Sequence, residues 1–131
     1  MKSGLEVGDT MLIKVRVTRE MFAQFEGNIV HPVYSTVSMV YHMEWVSRQM
    51  ILPYLEEDEE GMGAAVSMEH IAPCIEGSII EIKATAEEVS NNKVLTKVET
   101  KNSTGLIGTG KVKQVILKKE KISRLISSTT V

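Results

Sequence analysis

The stretch YSTVSMVYHMEWVSRQMILPYL, from Tyr34 to Leu55, decides how the rest of the chain must be arranged. Its apolar residues, Val37, Met39, Val40, Met43, Trp45, Val46, Met50, Ile51 and Leu52, together cover most of the surface of a helix. Ser35 or Thr36 supplies the N-cap, and Pro53 marks the stop. A helix apolar on so many sides needs a fold that covers it on many sides. Glu44, a carboxylate in the middle of that surface, is therefore the residue that asks for an explanation.

Upstream, TMLIKVRVT (Thr10–Thr18) alternates, with Met11, Ile13, Val15 and Val17 on one face, and reads as a half-buried strand. REMFAQFEGNIVHPV (Arg19–Val33) follows no simple period and reads as a long loop or a short helical lid. Downstream, EEDEEG (Glu56–Gly61) reads as a solvated acidic connection, after which the pattern is extended. MGAAVSMEHI (Met62–Ile71) is expected to be a buried strand. SIIEIKATAEEVS (Ser78–Ser90) turns Ile80, Ile82, Ala84 and Ala86 inward. KVLTKVETKN (Lys93–Asn102) pairs back across Asn91-Asn92, and LIGTGKVKQVILKK (Leu106–Lys119) is the last strand. Residues 1–120 form one domain, and 121–131 are expected to fray as a tail without a partner.

One strand, one long helix and four antiparallel strands make an α+β fold in which a five-stranded antiparallel sheet wraps a single central helix. The order fits the hotdog fold; a cystatin-like arrangement also curls a sheet over a helix. Five strands leave sheet edges that need cover, so a homodimer joined edge to edge is expected.

Composition bounds the partners. With 131 residues, 43% of them apolar, the chain is long enough for one core, and a formal net charge of −2 gives no electrostatic case for nucleic acid or an anionic membrane. No run approaches the ~20 apolar residues of a membrane span. The single cysteine, Cys74, has no intrachain partner and suits a reducing cytoplasm, where the protein is expected.

Four segments carry a resemblance: VGDT (Val7–Thr10), STVSMVYHMEW (Ser35–Trp45), PYLEEDEEGMG (Pro53–Gly63) and VSMEHIAPCIEG (Val66–Gly77). Together they resemble the fluoroacetyl-coenzyme A thioesterase family of hotdog proteins, with similarity running to about Lys118. The resemblance implies a thioester hydrolase acting on a small acyl-coenzyme A, with coenzyme A as part of the substrate and no other cofactor. It also implies a catalytic group of Thr36, Glu44 and His70, the three positions that match the family's threonine, glutamate and histidine. FAQF (Phe22–Phe25) resembles the family's aromatic lid, although Phe25 stands farther from Thr36 than in the family pattern. Phe25, Tyr34 and Ser35 are the candidate substrate-binding residues.

The chemistry is coherent. Thioester hydrolysis needs a nucleophile, a proton acceptor and stabilisation of the developing oxyanion. Thr36 offers a hydroxyl, and the helix start offers free N–H groups and a dipole. An apolar setting would raise the pKa of Glu44 and suit it as a base. His70 would shuttle the proton and assist the departing thiolate. Taken singly, each has a commoner use: Glu44 with its stem covered and its head in water, Thr36 as a cap, His70 as a strand-end histidine. His31 and His42 lack metal-ligand spacing, so no metal is expected, and Cys74 reads as a small buried thiol. Arg48, Lys111, Lys113, Lys118 and Lys119 are the cations available to coenzyme A phosphates. A non-enzymatic acyl-coenzyme A binding module on the same fold is the competing class; a hotdog dehydratase is a third, whose usual Asp/His arrangement is not evident.

Overall fold

The structure, a computed structural model, describes residues 1–129. Strand β1 (Thr10–Arg16) is followed by a short 3-10 turn (Arg19–Met21) and the hairpin β2 (Phe22–Phe25) and β3 (Asn28–Tyr34). Helix α1 (Thr36–Ile51) comes next, and a second 3-10 turn (Leu52–Tyr54) carries the chain past Pro53. The remainder is β4 (Glu59–His70), β5 (Ile79–Val89), β6 (Lys93–Asn102), β7 (Gly105–Lys118) and α2 (Lys119–Ser127). The five long strands form one antiparallel sheet in the order β1-β5-β6-β7-β4, and β2-β3 stands apart as a two-stranded sheet. This is the hotdog arrangement, with α1 as the filling.

Ser35 settles the start of α1. Its backbone is extended and its Oγ accepts from Ser38 N at 3.0 Å, so it is the cap, and Thr36 becomes the first helical residue with its hydroxyl unused by the helix. The helix buries Met39, Met43, Val46, Met50 and Ile51 against the inward residues of the sheet, among them Ile80, Ile82, Ala84 and Ala86 of β5 as the alternation requires. Ser47, Thr96 and Gln114 form a polar bridge inside this core. The two hydroxyls lie 2.7 Å apart, and Gln114 Nε2 donates to Ser47 O at 2.8 Å, so no buried group of the bridge is stranded.

Glycines set the distance between helix and sheet. Gly108 and Gly110 of β7 lie under the sulfurs of Met39 and Met43, and Gly61 and Gly63 of β4 lie under Ile51 and Glu44. A methyl group at Gly110 would meet Met43 Sδ at 2.9 Å and the backbone oxygen of Ser67 at 2.7 Å. The trough that receives α1 is thus made of positions where any side chain would push it away.

Four expectations need correction. The segment 62–71 is not a buried strand: among the described residues β4 pairs only with β7, lies at the edge of the sheet, and leaves Met62, Gly63, Ala64, Ala65, Ser67 and Glu69 exposed. Its run of small and apolar residues had suggested two covered faces. The segment 19–33 is neither a loop nor a helical lid but chiefly a hairpin. Glu26 (φ 53°) and Gly27 (φ 77°) make a two-residue turn with both φ positive, which suits the twist of the strands it joins. Glutamate is an unusual occupant of that turn, and the register shifts on both sides of Ala23 break the alternation. The acidic connection is shorter than expected, because Glu59 and Glu60 already belong to β4. The tail is helical from Lys119 to Ser127, though it buries no residue; its last two residues, 130 and 131, lie outside the described residues. Ile122, Leu125 and Ile126 fall at helical spacing, the signal that the expectation of fraying passed over.

Two predictions follow from the packing. Gly110→Ala is expected to destabilise the fold by about 1–3 kcal/mol in a urea titration, because backbone as well as side chain must shift; a cost below about 0.5 kcal/mol would contradict the trough. Glu60 is held below the ordinary carboxylate range, first by Arg48 Nη1 at 2.9 Å and then by its hydrogen bond from Gly61 N. Its stabilisation is therefore complete above its ordinary value of 4.5 and drains away as pH falls through the lowered folded value. Arg48→Gln should flatten that part of the acid denaturation profile, and an unchanged profile would show that the pair does not link helix to strand.

Candidate active site

The start of α1 and the end of β4 meet. Thr36 Oγ1 lies 3.0 Å from His70 Nδ1, thirty-four positions away in sequence. Thr36 is on the exposed first turn, while His70 is half-buried with an Nε2 that is sealed from solvent and has no hydrogen-bond partner among the described residues. His70 is opposite Gly108 in the β4-β7 register, so it shares a face with the trough and points toward the helix.

Behind His70 stands a buried aromatic pair. The ring of Tyr34 meets that of His70 edge-on, with centroids 6.3 Å apart and planes at 71°. The Tyr34 hydroxyl is 2.6 Å from His42 Nδ1. Burial pushes the Tyr34 phenol well above its ordinary value and the His42 imidazole below its own, so the pair is neutral. Among the described residues His42 is the phenol's one side-chain partner, and the His42 tautomer decides which of the two donates. From the sequence His42 is read only as lacking metal-ligand spacing. The signal was present, since His42 falls on the buried stripe between Met39 and Val46, where a polar ring needs a partner.

The other candidates are placed as follows. Phe25, at the tip of β2, lines a cavity of about 270 Å³ that opens beside Thr36, together with Glu20, Phe22, Val37 and Ser35. Ser35 contributes to its wall, but its hydroxyl is occupied by Ser38 N and Ser38 Oγ. Tyr34 does not line the pocket: it is fully enclosed, because its ring is spent on His42 and His70, and it sits behind the site. Ser38 N and Met39 N bond to Ser35, which leaves the N–H groups of Thr36 and Val37 without partners among the described residues. A larger groove of about 420 Å³ lies elsewhere, lined by residues such as Lys83, Lys97, Glu81 and Glu99. It contains none of the three catalytic candidates.

Glu44 departs from expectation. Its carboxylate is exposed, with Oε1 over Gly63, and it is not enclosed by apolar groups. The face of α1 that carries it is open, and its neighbours Val37, Tyr41 and Trp45 are exposed at 72%, 64% and 42%. Eight residues of helix separate Glu44 from Thr36, about 12 Å along the axis, and seven residues of strand separate Gly63 from His70, about 23 Å. One chain therefore joins Thr36 to His70 and holds Glu44 apart. Of the cations considered for coenzyme A phosphates, Arg48, Lys111 and Lys118 are engaged with Glu60, Glu87 and Asp58.

Comparison with known proteins gives this geometry a family. The chain is 25% identical over 136 residues to the fluoroacetyl-CoA thioesterase of Streptantibioticus cattleyicolor, covering 99% of this chain and 98% of that protein. A solved Thermus thermophilus structure of a thioesterase superfamily member is 41% identical and superposes with a TM-score of 0.90, covering 95% of this chain and 92% of the other. A fluoroacetyl-CoA thioesterase structure, 23% identical, shares the fold with a TM-score of 0.89 over 98% of this chain and all of the other. The family model for the fluoroacetyl-CoA-specific thioesterase matches residues 17–120. The protein thus belongs to the fluoroacetyl-CoA-specific thioesterase family and is a hotdog-fold thioester hydrolase.

Proposed function

We propose that the protein hydrolyses a small acyl-coenzyme A thioester to the free acid and coenzyme A, at a site completed by two copies of the chain. The observation that carries this reading is the Thr36–His70 hydrogen bond at the mouth of an aromatic-walled cavity on a helix N-terminus. It has the form of a nucleophile and its base. Thr36 Oγ1 attacks the thioester carbonyl as its proton passes to His70 Nδ1. The oxyanion is met by the free N–H groups of the first helical turn, and the C–S bond breaks as His70 returns the proton to the departing sulfur. Glu44 then takes a proton from the water that attacks the acyl-threonine, the bond from the acyl carbon to Thr36 Oγ1 breaks as that proton is passed on to Oγ1, and the acid leaves with the Thr36 hydroxyl restored.

Glu44 reaches this site from a second chain. The outer edge of β4 has no strand beside it among the described residues, and the apolar open face of α1 adjoins it. An unpaired edge with exposed apolar neighbours is a surface for another sheet. Two β4 strands paired antiparallel about a two-fold between Val66 and Ser67 would set Gly63 of one copy opposite His70 of the other. Each Glu44, seated over its own Gly63, then arrives at the other copy's Thr36–His70 pair. The buried, unpaired Cys74 fits a reducing cytoplasm as the place of work.

Release of free thiol from a panel of acyl-coenzyme A esters tests the activity. Glu44→Ala and His70→Ala are each expected to lower kcat by at least about 100-fold while remaining folded; unchanged turnover in either would overturn the assignment, and binding of the whole panel without turnover would favour a binding module. In sedimentation the active species is expected at twice 14.5 kDa or a multiple of it. A fully active monomer would contradict the shared site. If the acyl-threonine forms, Glu44→Gln should accumulate it on Thr36, visible by mass spectrometry as a mass increase of one acyl group, and its absence under burst conditions would point to direct attack by water.

A further inference from the structure

The cavity beside Thr36 specifies more than a thioesterase. We infer that the acyl group accepted here is neutral, apolar and larger than acetyl, branched or aromatic, with Phe25 and Glu20 deciding the preference; this rests on the thioesterase reading above. The cavity measures about 270 Å³. That is the space one chain leaves beside Thr36, several times the ~30 Å³ of one water molecule in the liquid. An acetyl group, with three non-hydrogen atoms, or a fluoroacetyl group, with four, covers less of its aromatic walls than an isovaleryl group, with six, or a phenylacetyl group, with nine.

The walls say what kind of group. Phe22 is buried and fixed, Phe25 stands over the opening at 69% exposure, and Val37 projects from the first turn of α1 next to the Thr36 hydroxyl. Among the described residues of one chain the only charged side chain in the lining is Glu20, and the Glu44 that the second copy brings to Thr36 would add another carboxylate. Hydrogen bonds from its own backbone N–H and from Thr18 hold that carboxyl below its ordinary range, so it stays ionised. Its neighbour Arg19 is not among the lining residues, and no other cation is. An acyl group ending in a carboxylate would give up water to sit against apolar walls beside a negative charge, with no cation in the lining to pair with, and that combination disfavours it.

The experiment compares kcat/KM for acetyl-, isovaleryl-, phenylacetyl- and succinyl-coenzyme A on the full chain and on Phe25→Ala and Glu20→Lys. Isovaleryl or phenylacetyl should exceed both acetyl and succinyl by at least about tenfold, a ratio that one or two well-placed methylenes supply. Phe25→Ala, at an exposed position that leaves the core intact, should lose most of that advantage while acetyl turnover changes less. Glu20→Lys should raise succinyl relative to isovaleryl by about threefold or more. Turnover that favours acetyl or succinyl, or a profile that neither variant alters, would overturn this inference and leave the thioesterase reading standing; no turnover of any ester by the unaltered protein would overturn both.

Discussion

The close seating of α1 on the glycines of β4 and β7 is the constraint on which the rest depends. With Gly108 and Gly110 beneath Met39 and Met43, and Gly61 and Gly63 beneath Ile51 and Glu44, the helix lies nearer the sheet than side chains would permit. Interiors are packed too densely for the helix to settle elsewhere once those contacts form. The position of the site follows. The helix start is delivered to the end of β4, where Thr36 finds His70, and the middle of the helix is delivered to Gly63 at the sheet's open edge, where Glu44 finds solvent. Local packing thus produces two half-sites at the two ends of one edge strand.

That geometry explains why the exposed features of a single chain are not scattered. Val37, Tyr41 and Trp45 recur every four residues on the open face of α1, beside an unpaired strand edge. Each is unremarkable alone. Aligned with an unpaired edge, they are the surface a second copy would cover, and the same association would bring Glu44 to a partner it lacks within its own chain. His70 is meanwhile held from behind by the neutral, hydrogen-bonded Tyr34–His42 pair, so the half-site is ordered before any second copy arrives.

Much of this was legible in the sequence, and the failures have physical causes. The alternation of Ile80, Ile82, Ala84 and Ala86 gave β5 its inward face because that strand has a core on one side and solvent on the other. The helix was legible from its period, and its cap was narrowed to two residues, of which Ser35 takes the role and Thr36 is freed. The edge position of β4 was not legible, because glycines and alanines that admit a helix from one side look like residues enclosed on both. The hairpin was hidden by a Glu-Gly turn and by a register that shifts twice in four residues. Glu44 misled for a subtler reason. An apolar helix surface was taken to be covered by the chain that carries it, whereas part of that surface is open in one copy.

The central claim is that each site draws Glu44 from one chain and Thr36 and His70 from another, and subunit complementation tests it most directly. Glu44→Ala and His70→Ala chains, each inactive alone, are unfolded together, refolded as a mixture and assayed for thioester hydrolysis. A shared site predicts that mixed dimers regain one intact site of two, so that a random mixture recovers about a quarter of the unaltered activity. If the three residues act within one chain, every site in the mixture lacks one of them. Activity that stays at the level of the separate variants, in a mixture shown to contain mixed dimers, would contradict the account.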